Sequence, residues 1–160
     1  MRLSRKAKRY DDAILPGNFK DFQSLEEEDP LLDGVMTASL RREGSRVELA
    51  HLSMERQTPR KQSFAKLRSK AEDLTHRINY LDERLEIVDH DRRGMLIQIR
   101  SLPPYKDDRQ IQFNEICIGR DRVVVKRIAF FRKEEVKQQV AMRLSEESLQ
   151  RLLVDLRQVL

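Results

Sequence analysis

The strongest constraint in this sequence is an apolar stripe between residues 58 and 93. Phe64, Leu67, Ala71, Leu74, Ile78, Leu81, Leu85 and Val88 follow one another in alternating steps of three and four, the a/d spacing of a heptad repeat. That spacing predicts one long helix over 58–93. Thr58 suits the N-cap, and Pro59 suits the first helical position, where no N–H is needed. Arg92 and Arg93 suit the C-terminal end of the dipole, and Gly94 the left-handed residue beyond it. Such a rod would be roughly 45–50 Å long.

The stripe needs a partner. Residues 30–56 supply one candidate, because Leu32, Met36, Leu40, Val47, Ala50 and Met54 recur at helical spacing, with Asp29 as N-cap and Pro30 in the first turn. Gly34 and Gly44 each weaken a helix by about 1 kcal/mol relative to Ala. Ser45 followed by Glu48 reads as a capping box, so the segment is one helix or two. Arg56-Gln57-Thr58 is a short connection, which implies antiparallel neighbours and hence a helical hairpin over 30–93. The other candidate is a second copy of the chain, a homodimer seam through Phe64, Leu67, Leu74, Ile78, Leu81 and Leu85. With Phe64 at position a, a parallel pair sets Arg77 against Asp82 and Arg84 against Asp89. Hairpin core and homodimer seam both remain open at this point.

After Gly94 the period changes to two. Met95, Ile97 and Ile99 alternate with Leu96, Gln98 and Arg100. Gln110–Ile118 reads as a second strand with a bulge near Asn114-Glu115, where the apolar phase switches. Gly119-Arg120-Asp121 reads as a turn, Arg122–Phe131 as a third strand, 132–138 as a loop, and Val140, Met142 and Leu144 as a fourth strand. Ser145 caps a final helix with Leu149, Leu152, Leu153, Leu156 and Leu160 on one face. The expected fold class is therefore α+β: a long helical hairpin or coiled coil, then a four-stranded antiparallel sheet packed by a C-terminal helix. The expected organisation is a weakly ordered segment over 1–29, the helical part over 30–93 and a β-β-β-β-α module over 94–160.

Composition narrows the function classes. The net charge of +5 is unevenly spread. Residues 1–20 and 94–160 are basic, and the run Glu26-Glu27-Glu28-Asp29 makes 21–34 acidic. This pattern permits a polyanionic partner. The single cysteine, Cys117, rules out an intrachain disulfide, and the basic N-terminus has no apolar stretch behind it. A cytoplasmic protein is expected. No run of about 18 apolar residues suggests a membrane span. His51, His76 and His90 are scattered, and no glycine-rich phosphate loop, nucleophile elbow or paired-cysteine motif occurs. Asp89-His90-Asp91 falls at the end of the expected helix, where polar residues are common, and Cys117 lies between two isoleucines as a small core residue would. The reading is a non-enzymatic protein with no cofactor and no metal site.

If the apolar side of the sheet meets the C-terminal helix, Gln98, Arg100, Gln139 and Arg143 face away, joined by Lys126 or Arg127. Cations there would track a phosphate backbone, and nearby rings (Tyr105, Phe113, Phe130, Phe131) would stack bases. The last third also resembles the positive-cofactor-four family of single-stranded-DNA-binding coactivators and its bacterial relatives. The third strand, Val123-Val124-Val125-Lys126-Arg127-Ile128-Ala129-Phe130-Phe131, is similar to that family's apolar run ending in two aromatics. So is the run from Ala141-Met142-Arg143-Leu144-Ser145 through Glu147 to Leu149 and Leu152. Ala141 stands in place of the family's glycine, Leu149 in place of its aromatic, and Lys126 in place of an acidic residue. The resemblance implies a dimer that binds single strands on the sheet, with Arg100, Lys126, Arg127 and Arg143 contacting the backbone and Phe130 stacking. The expected function is thus single-stranded DNA or RNA binding on the basic sheet face. The alternative is a structural or adaptor protein whose coiled coil and sheet bind other proteins.

Overall fold

Gly44 and Ser45 decide the first half of the chain. Glu43 pairs with Arg46 across them, and Gly44 takes φ +62°, the conformation a two-residue hairpin loop requires at its first position. The segment read as a helix is therefore a β-hairpin. Its apolar residues mimic a helical period because Ser39 pairs with His51 while Leu40 pairs with Leu49. Ala50 is the extra residue of this bulge. It shifts the inward phase from Val47 and Leu49 to Leu52 and Met54.

The computed structural model describes residues 14–160. The elements are β1 (Ile14–Leu15), β2 (Gln23–Asp29), β3 (Gly34–Glu43), β4 (Arg46–Arg56), α1 (Phe64–Arg77), β5 (Leu85–Asp91), β6 (Leu96–Ser101), β7 (Tyr105–Lys106), β8 (Gln110–Ile118), β9 (Arg122–Phe131), β10 (Val136–Val140), β11 (Met142–Ser145) and α2 (Glu146–Arg157). The strands form one sheet in the order β2-β3-β4-β9-β8-β6-β5, and every pairing along that path is antiparallel. At one end β9 and β4 pair directly. At the other they part, and β10 continues on β9 while β11 continues on β4. β1 runs parallel to β10, and the two-residue β7 pairs with β8.

The heptad stripe is not a coiled coil. The helix covers only Phe64–Arg77, capped by the Ser63 hydroxyl, which accepts from the Lys66 N–H at 3.1 Å. Phe64, Leu67, Ala71 and Leu74 are buried in the chain's own core, as are Ile78 just past the helix and Leu85 in β5. Leu81 packs partly against that core from a loop, and Val88 is exposed on an edge strand. Tyr80 anchors the loop through its hydroxyl to Asp155 of α2 at 2.8 Å, with Arg151 over its ring. The expected helical hairpin and coiled coil are thus replaced by sheet, and the proposed homodimer seam is occupied by the protein's own strands. Thr58 bonds Asp33 and Pro59 lies ahead of the helix, so neither starts it. Met95, not Gly94, takes the positive φ.

The remaining boundaries follow from the ladder. Residues 14–29 contain β1 and β2, in place of a weakly ordered segment; the basic tip at residues 2–9 lies outside the described residues. Residues 94–160 are strands followed by a helix, but their strands lie in the same sheet as β2–β5. β8 has no bulge. Its register with β9 is continuous, and its phase switch arises because Ile116 and Ile118 point to one face while Ile111 and Phe113 point to the other. Residues 136–138, expected in a loop, belong to β10. Both helices cover the face that carries Ile97, Ile99, Ile116, Ile118, Val123 and Val125. α1 packs over β5 and β6, and α2 over β4 and β11. Ser145 caps α2 through the Ser148 N–H at 3.0 Å, with Glu146 and Glu147 favourably placed in the first turn. No helix among the described residues is long and apolar enough to cross a membrane.

Candidate functional site

The five residues expected to contact nucleic acid do not form one cationic surface. Lys126 on β9, Glu115 on β8, Arg100 on β6 and Glu86 on β5 are direct cross-strand neighbours in one row. Glu115 is fully buried. It accepts from Arg100 Nε at 3.0 Å and Gln98 Nε2 at 3.3 Å, and Lys126 Nζ lies 3.7 Å away. Positive and negative charges alternate across the strands, which is the arrangement cross-strand pairs favour. The Arg100 guanidinium also sits 4.9 Å from the centre of the Phe113 ring, so a base stacking there would compete with a cation–π contact. His51 of β4 is close enough to feel Lys126. Burial first, then Arg122 and Lys126, push its imidazole below its ordinary pKa.

Arg127 is on the opposite face, one residue on. Its guanidinium grips Glu83 with two bonds of 2.9 and 3.0 Å, and donates to Asn114 Oδ1 at 2.7 Å and Gln112 Oε1 at 2.9 Å. Ser101 Oγ donates to Glu83 and accepts from the Asn114 backbone N–H, both at 2.8 Å. Phe130 is half-buried between Ile111 and Lys137 on the Lys126 side. Arg143, on β11 beside Glu48, is exposed and has no ion pair among the described residues. Lys126 and Arg100 thus share one carboxylate, Arg127 belongs to a second cluster, and Arg143 stands apart. The Glu83 and Asn114 partners had no signal in the sequence, because each bond joins distant segments.

A denser group of cations lies where the β4–α1 connection meets the β8–β9 turn. The Arg60 N–H donates to Asp121 Oδ1 at 3.1 Å, and the Arg56 N–H to the Asp121 carbonyl at 2.8 Å. Gln62 Nε2 donates to the Arg120 carbonyl at 3.3 Å, and Gln62 Oε1 accepts from Lys70 Nζ at 3.2 Å. The Arg56 and Arg60 guanidiniums both donate to the Leu160 carbonyl at 3.2 Å. These tethers gather Arg56, Arg60, Lys66, Lys70 and Arg120 at one end of the molecule, with Lys61 and Arg122 exposed on the same connection and turn. Lys70 registers the crowding: burial first, then Arg60, Lys66 and Arg56, lower its pKa. The first turn of α1 has no acidic residue. In the sequence these cations fall in three separate places: Arg56 in the short connection, Lys66 and Lys70 within the heptad segment, and Arg120 in the turn. The like charges at 66 and 70, one helical turn apart, were the available signal.

Fold and charge together define an open antiparallel sheet with two helices on one face and a cationic end. No family model, curated protein or solved structure matches this chain.

Proposed function

We propose that this protein binds nucleic acid without catalysis, and that the cationic end around the start of α1 makes the contact. The observation that carries the reading is the gathering of Arg56, Arg60, Lys66 and Lys70 beside Arg120, around the start of a helix whose first turn has no acid. Several cations held by the backbone tethers of one connection present a preformed set of phosphate contacts, and phosphate contacts supply most of the sequence-independent affinity for nucleic acid. The basic sheet face is a weaker candidate, since Arg100 and Lys126 face a buried carboxylate and Arg127 is held by Glu83. Single-stranded DNA or RNA is the form to try first, in keeping with the resemblance of the last third to the positive-cofactor-four family. The cytoplasm is the compartment this reading assumes, and a reducing one suits the single Cys117.

The test is titration of a labelled single-stranded oligonucleotide with the full chain at low and near-physiological salt. Lys66→Glu and Arg120→Glu are expected to weaken binding, each lowering the slope of log K against log salt by about 0.7 or more. Arg132→Ala, in the distant β9–β10 turn, is expected to change little. Absence of binding at low salt ends the reading. Loss on Lys126→Met with none on the two reversals moves the contact back to the sheet face.

A further inference from the structure

The parting of β4 from β9 opens a cleft of about 390 Å³ beneath the 81–83 loop, lined by Glu48, Asp82, Asn114, Arg127, Met142 and Arg143 among others. That volume is in the range of small-molecule sites. Its floor is a finished network except at one point. Asn114 is 3% exposed, its backbone N–H bonds Ser101, and its Oδ1 accepts from Arg127. Arginine cannot accept a hydrogen bond, so this contact fixes which end of the amide is oxygen. Nδ2, with two donors, is therefore the end left without an acceptor among the described residues, on a side chain that lines the cleft. Nδ2 is not one of the enclosed unpartnered atoms of the core, so it opens onto the cleft, where a bound acceptor can reach both of its protons.

The rim supplies the rest. Arg143 and Asp82 are exposed, line the same cleft and have no ion pair among the described residues. The other charges are already committed: Glu83 to Arg127, and Glu48 to Arg41 at 2.9 Å. Leu81, Val140, Ala141 and Met142 add apolar wall. One open cation, one open carboxylate, one amide donor facing the cleft and an apolar wall match a small zwitterion.

We propose that this cleft binds a free amino acid, its carboxylate accepting from Asn114 Nδ2 and Arg143, its ammonium facing Asp82, and its side chain on Leu81, Val140 and Met142. The cationic end takes no part, so this site stands or falls independently of nucleic-acid binding.

The experiment is saturation-transfer NMR of the full chain with pools of the free proteinogenic amino acids, and with the same compounds blocked as N-acetyl amides. Binding of one or more free amino acids, and not of their blocked forms, is expected. Arg143→Ala and Asp82→Ala, both at exposed positions, are each expected to weaken it about tenfold, as loss of one charge-assisted contact does. Asn114→Asp, which turns the donor into a carboxylate, is expected to abolish it; if that variant does not fold, the rim variants decide. The proposal is overturned if no free amino acid binds, which leaves water as the partner of Nδ2. It is equally overturned if blocked forms bind as well, or if both rim variants bind as the parent does.

Discussion

Two neighbouring rows of this sheet differ by one residue along each strand and by almost everything else. Ala38, Leu52, Val125, Ile116, Ile99 and Ile87 make one row across six strands. Ser39 and His51 begin the next on β3 and β4, and Lys126, Glu115, Arg100 and Glu86 carry it across β9, β8, β6 and β5. The first row is the floor beneath the helices and is held by burial, which depends on area and is indifferent to the identity of the partner. The second is held by charge, which depends on who stands opposite. Glu115 is as deeply buried as Ile116, yet only because Arg100 and Lys126 flank it. The comparison teaches that burial alone does not mark the core of this protein; the row that counts as core is the one whose neighbours need no sign.

The largest effect tests the apolar row. Ile116→Ala is expected to cost about 4 kcal/mol in urea denaturation, through lost transfer energy and a cavity between Val125 and Ile99. Glu115→Gln comes next, at about 3 kcal/mol, because it leaves two cations facing a neutral amide in a dry site. A cost near zero would make the charged row ornamental and break the comparison. Lys126→Met is smaller, about 1 kcal/mol, since the side chain is partly exposed and its ion pair is long. Its effect should largely vanish in the Glu115→Gln background, a coupling that a double-mutant cycle reads directly.

The smallest effect is a pH dependence. Burial, Arg122 and Lys126 hold the His51 pKa below its unfolded value. Between those two values the unfolded chain binds the proton and the folded chain does not, so stability rises with pH. The contribution is complete above the unfolded value of about 6.5 and is lost as pH falls through the folded one. His51→Gln is expected to flatten that part of the denaturation-versus-pH profile. A profile unchanged by the substitution would mean that burial and the two cations do not hold His51 neutral in the folded chain.

Legibility in the sequence followed the range of the interactions. Ser145 and the leucines of α2 were readable because cap and face are fixed within a few residues. The β8–β9 turn at 119–121 was readable for the same reason. The hairpin at 34–56 was misread although Gly44-Ser45 is a two-residue turn signal. The bulge at Ala50 broke the alternation, and the resulting spacing imitates a helix. The cationic sheet face was legible as a set of residues, but not as a set of ion pairs. Arg127 and Glu83 are 44 residues apart, and no local pattern joins them.

What the sequence determined by itself is where short-range rules act: the capped helix at 146–157, the turn at 119–121, the alternating strands after Gly94, and the overall excess of positive charge. Tertiary structure alone decided how far the heptad stripe would stay helical and which charges would meet. Steps of three and four place Ile78, Leu81 and Leu85 on one side of a continued helix. A strand at Leu85 buries the same apolar side chain and gains a backbone ladder with β6. Intrinsic helix preferences differ by less than about 1 kcal/mol per residue, so a sheet waiting alongside outweighs them. Charge obeys the same logic, since a lysine or arginine becomes a ligand contact or an ion pair only when the fold puts a phosphate or a carboxylate opposite it.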